Sequence, residues 1–152
     1  MTRTWVRLGL VAVALPQLVT GLWAVLDSSG WYEDFPGLGA SWVAADGPYN
    51  AHLATDAGAG FLATGVVLLI AAAWGRRREA TLALVTYLVF AVPHLTYHLR
   101  NSAPGLTDAE NVQSVGSLVV GALFPLVLLW GNRDSAIPTA GAGPAPQPVA
   151  TQ

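Results

Sequence analysis

At 152 residues the chain has room for one domain. It is 53% hydrophobic and only 11% charged, with a mean hydropathy of +0.49, which points to a membrane protein rather than a soluble globule. The absence of cysteine excludes disulfides, thiolate metal sites and cysteine nucleophiles, and a net charge of -2 excludes a nucleic-acid partner because nothing here could neutralise a run of phosphates.

Four apolar stretches approach the roughly 20 residues that a helix needs to cross a bilayer. The first, Trp5–Leu26, follows Arg3 and Arg7 and contains Pro16. The competing reading is a cleaved signal peptide with small residues near Ala24, but the apolar run is long for one. A long link over 27–56 leads to the second stretch, Ala57–Trp74. The "GRRRE" turn joins that to Ala80–Tyr97, which contains Pro93. The polar "RNSAPGLTDAE" segment precedes the fourth, Val112–Trp130, which contains Pro125. Residues 132–152, rich in Pro, Ala and Gly, have no apolar face to bury and are expected to be a disordered tail after a bundle over 1–131. Gly58, Gly60 and Gly65 in the second stretch, with Gly116, Ser117 and Gly121 in the fourth, would let helices approach closely. The expected fold is therefore all-α, an integral-membrane four-helix bundle.

Arginine placement sets the expected orientation. Arg3, Arg7, Arg76, Arg77, Arg78 and Arg133 fall on one side of four crossings; Arg100 alone falls on the other, together with Asp27, Glu33, Asp34, Asp46, Asp108 and Glu110. By the positive-inside rule both termini are cytoplasmic and the first link lies outside, in a bacterial plasma membrane.

The rare ionisable side chains come in pairs. "YNAHLATDAGAG" sets His52 and Asp56 four residues apart at the start of the second span, and "VPHLTYHLRN" sets His94 and His98 four apart at the end of the third. Each pair shares one helix face. In an antiparallel hairpin turning near Arg77 and Arg78, positions of equal depth put Asp56 level with Leu99, beside His98 and Arg100. His94 then lies one turn deeper, opposite Gly60 and Phe61, and Glu110 reaches about the same depth from the fourth span. Convergence of His52, Asp56, His94, His98 and Glu110 at the outer end is the expectation.

Three readings stay open for that cluster. It caps helices at the interface, with Asp56 paired to Arg100 or His98. Alternatively, His52, Asp56, His94 and His98 hold a transition metal (zinc, copper or iron), or His94 and His52 hold a haem. In the third reading the site binds a small amphipathic molecule such as a quinone, with Asp56, His98, Glu110 and Arg100 as ligand contacts or a proton relay. An accessory subunit, whose polar cluster docks a membrane redox partner or a second copy of the chain, is the rival class. No serine stands obviously beside a histidine, and no internal repeat suggests a transporter.

The first link carries Trp31, Tyr32, Phe35, Trp42 and Tyr49 among glycines and prolines. Such aromatics ordinarily form an interfacial belt. A structureless link of this length is unusual, however, so Trp31, Tyr32, Trp42 and Tyr49 are expected to fold back as a lid, with Asp46 and Asn50 as turn or capping residues.

"WYEDFPGLGASWVAADGPYNAHLATDAGA" followed by "VPHLTYHL" resembles a group of small four-span bacterial membrane proteins, distantly DoxX-like. In that group an FPG…WV…GPYNEHL…D-GA segment precedes span two and a PH…YH segment ends span three. His52, Asp56, His94 and His98 match the pattern, whereas Ala51 stands where the group has glutamate. The resemblance implies a four-span fold and an association with membrane redox and quinone chemistry.

Overall fold

The computed structural model describes residues 1–133. Its long helices are α1 (Thr4–Leu26), α3 (Ala51–Trp74), α4 (Arg77–Arg100) and α5 (Asp108–Gly131), and each is long and apolar enough to cross a membrane. The link after α1 adds a short helix, α2 (Ser28–Asp34), and a small antiparallel ladder of β1 (Pro36–Gly37) with β2 (Ala40–Ser41). Apart from that ladder, the described chain is helical and fits a multi-pass membrane protein.

The helices run past the apolar stretches that announce them, because polar caps continue the backbone into the interface. Asn50 starts α3 by accepting from the Leu53 amide. Thr107 and Glu110 close a capping box at the start of α5, in which Glu110 Oε2 accepts from both the amide and the hydroxyl of Thr107. Gly75 ends α3 in the left-handed region (φ 64°), which an L side chain rarely adopts, and the chain reverses directly into α4.

The closest helix pair is α1 with α3, which run antiparallel. Gly21 of α1 faces the α3 backbone at Gly58 and Leu62, Gly58 faces Ala24 and Val25, and Gly65 faces Leu18. Of the small residues marked in the sequence, Gly58 and Gly65 do permit a close approach, but Gly60 and Gly116 look onto open space. The main core continues across the bundle through Leu10, Leu68, Leu84, Tyr87 and Leu128.

The end of the bundle that carries most of the arginines is tied by hydrogen bonds between elements. Arg7 donates to the carbonyls of Ala72 and Ala73, the Thr2 amide to Gly75, and Arg77 to the carbonyl of Met1. Asn132, which the sequence places at the start of the tail, is buried and donates to the Arg77 carbonyl and the Thr81 hydroxyl. The disorder expected of the rest of the tail falls on residues beyond Arg133, outside the described residues.

At the opposite end, called the loop end below, the first link is ordered by its own contacts. Asp27 caps α2 through the Gly30 amide, Tyr32 donates to the Gly47 carbonyl, and Tyr49 bonds Ser28 at 2.7 Å. Gly37, Leu38 and Gly39 make the ladder's turn with positive φ. Phe35 packs against Trp23, Trp31 and Trp42, so the link is seated on α1 through an aromatic cluster.

Candidate functional site

A cavity of about 560 Å³ lies between the four long helices and the first link. That is within the roughly 300–1,000 Å³ of small-molecule sites. Its deep part is apolar, with Val13, Phe61, Phe90, Leu118 and Phe124 among the walls and the Tyr87 hydroxyl lying over Gly121. Its loop-end part is polar and is lined by His94, His98, Asp46, Asn111, Trp31 and Trp42.

His94 and His98 enter this site because α4 turns one stripe inward. Ala80, Leu84, Tyr87 and Ala91 are buried at alternating four- and three-residue steps, and the same steps lead on to positions 94 and 98. Phe90, His94 and His98 stack along that face, with ring centroids 5.5 Å and then 5.0 Å apart, and Phe61 of α3 meets His94 at 6.2 Å. This last contact matches the depth read from the sequence, which sets His94 opposite Phe61. Asp46 lies within electrostatic reach of His94 and of Tyr97. It is exposed and lines the cavity.

The expected five-residue convergence is not what the fold makes. His52 and Asp56 pair with each other at 3.3 Å on the outside of α3, where their side chains are 84% and 62% exposed, and neither lines the cavity. The physical reason is angular. The buried stripe of α3 runs through Ala54, Gly58, Gly65 and Leu68 onto α1, and positions two residues away from it point about 160° off, at 100° per residue. Depth registers a hairpin, but packing against α1 sets its rotation. The expected pairing of Asp56 with His98 or Arg100 is accordingly replaced by His52, and Arg100 is exposed at the end of α4. Glu110 serves the capping box rather than the site, a role that the Thr-x-x-Glu spacing already encodes. Among the described residues no group of three or more His, Asp or Glu side chains stands close enough to hold a metal ion. The His94–His52 pair expected for haem is split between the cavity and the outer face.

Of the four aromatics expected over the bundle, Trp31 and Trp42 line the cavity, while Tyr32 and Tyr49 pack on each other at 5.2 Å and brace the link. The indole N–H groups of both tryptophans are buried without a hydrogen-bond partner. Trp31 as a whole is 7% exposed. Buried donors are nearly always satisfied, so two orphans on residues that line one cavity are uncommon. Sequence reasoning missed Asp46, Asn111 and Tyr87 as wall residues. Only Tyr87 carried a signal, its place on the inward stripe of α4.

Asn111 is spent on structure: its amide holds the 103–107 segment through Ala103 and Thr107. In α1, the Gln17 amide oxygen accepts from Thr64, whose hydroxyl also bonds the Phe61 carbonyl. The unsatisfied buried donors of the polar end are the two indoles, and the two imidazoles and the Asp46 carboxylate stand in the same wall. No protein-family model, curated protein or solved structure matches this chain.

Proposed function

We propose that the protein binds a small amphipathic molecule, of which a quinone is the type, with its polar head among Trp31, Trp42, His94 and His98 and its apolar part toward Phe61, Phe90 and Phe124. The observation that carries this reading is a pair of buried, unpartnered indole donors on two residues that line the polar end of a mostly apolar cavity. A ligand carbonyl would satisfy such donors, and the aromatic walls would accept a flat ring. The adjacent imidazoles, with exposed Asp46 beside His94, supply a short path along which a proton could travel between a bound head and water. The first link acts as the lid, Trp31 and Trp42 being its working surface. The likeness to small DoxX-like proteins, drawn from residues 28–100, agrees with quinone chemistry, and the arginine distribution favours a bacterial plasma membrane with the lid outside.

The test is extraction and mass spectrometry of neutral lipids and quinones that co-purify with the protein, together with titration of 2,3-dimethoxy-5-methyl-1,4-benzoquinone. Wild type should carry or bind such a molecule, and H94A should lose it while remaining folded. Absence of both co-purification and binding refutes the reading.

A further inference from the structure

The cavity has an opening about halfway along the long helices. Its wall residues on α3 and α4 are all buried or half-buried, whereas Ala12 and Pro16 of α1 and Ser117, Val120 and Phe124 of α5 are exposed while lining it. Pro16 and Val120 lie near the middle of their helices, about 15–18 Å from either end at 1.5 Å per residue. Close packing of α1 on α5 lies instead at the arginine end, where Leu128 covers Gly9 and Trp5 covers Gly131. The two helices thus meet at the base and leave a gap above it that faces hydrocarbon. The walls also carry no arginine, and their one carboxylate, Asp46, is at the loop end. Burying an anionic head beside a carboxylate, with no arginine or lysine in the walls to offset it, is unfavourable.

We propose that the ligand is an amphipath with an uncharged, hydrogen-bond-accepting head and an aliphatic tail, and that it enters sideways from the bilayer between α1 and α5, its tail remaining in that gap. This rests on the ligand-binding reading above. It adds the chemical class of the molecule and where it comes from. A phospholipid or fatty acid is disfavoured by its charge, and a water-borne metabolite by the position of the opening. The loop-end opening beside Asp46 serves water and protons.

The experiment compares three probes with the full-length protein in lipid nanodiscs: the tail-less dimethoxy-methyl-benzoquinone, its decyl-chain homologue, and dodecanoate. Wild type should bind the decyl homologue at least 10-fold more tightly than the tail-less head, and dodecanoate weakly. V120W, which fills the gap, should slow capture of the decyl homologue at least 10-fold relative to its effect on the tail-less head. A12W at the facing edge gives the same reading if V120W does not fold. Wild-type capture rates in both gap variants overturn the side route. Equal affinity for head and homologue overturns the tail's place, and dodecanoate binding as tight as the homologue overturns the uncharged head. If no quinone probe binds wild type, the ligand-binding reading itself has failed, an outcome distinct from the other three.

Discussion

The indole of Trp31 illustrates how a single residue can be set for a partner that the chain does not supply. A buried donor without an acceptor costs about 1–3 kcal/mol, while a hydrogen bond once made returns about 1 kcal/mol net. W31F should therefore leave the melting temperature of the ligand-free protein unchanged or slightly raised, yet weaken quinone-head binding about 5–10-fold, as read by thermal denaturation beside titration. A large loss of stability would mean that the indole is structural. The two paired motifs should separate in the same assay. His52 and Asp56 form an exposed i,i+4 pair of the kind worth about 0.5 kcal/mol or less, so H52A should shift stability within that range and leave binding intact. H98A should impair binding, because His98 lines the cavity next to His94. The sequence does show the inward stripe of α4 that carries His94 and His98. It does not show that α3 presents its own pair outward, since rotation about a helix axis depends on which neighbour its small residues meet.

Among the elements, α1 and α3 behave as a single unit because glycine lets their backbones touch. A Cβ at Gly21 would come within 2.6 Å of the Leu62 amide nitrogen, and one at Gly58 within 2.8 Å of Ala24 Cβ. G21V and G58V should each destabilise by about 1–3 kcal/mol through overpacking, whereas G60A and G116A, facing open space, should be neutral or mildly stabilising; denaturant or thermal unfolding in detergent distinguishes them. T107A removes the capping box of α5 and should cost about 1 kcal/mol in the same measurement. All four long helices are legible from hydropathy alone, and the sequence shows the prolines inside three of them. Helix ends are not, because Asn50, Thr107 and Gly75 act through capping and backbone geometry that an apolar window ignores. The ordered link is half legible: its aromatics and turn residues announce a compact segment, but α2 packs on α1 and the small ladder packs on α2, contacts that have no periodic signature.

For the whole molecule, the arginine distribution predicts an orientation that labelling can check. The chain has no cysteine among the described residues, so S102C and R78C are clean reporters at opposite ends of α4. In intact cells a membrane-impermeant maleimide should modify S102C and not R78C; the reverse pattern would invert the orientation. The hydrogen bonds of Arg7, Arg77, Asn132 and Thr2, which tie the arginine end together, have a mechanical consequence. They make that end a pivot, like the joint of a pair of tongs whose two arms, α1 on α3 and α5 on α4, are separated farther up by the cavity. Hydrogen exchange should accordingly be slowest at the pivot and fastest at the tips.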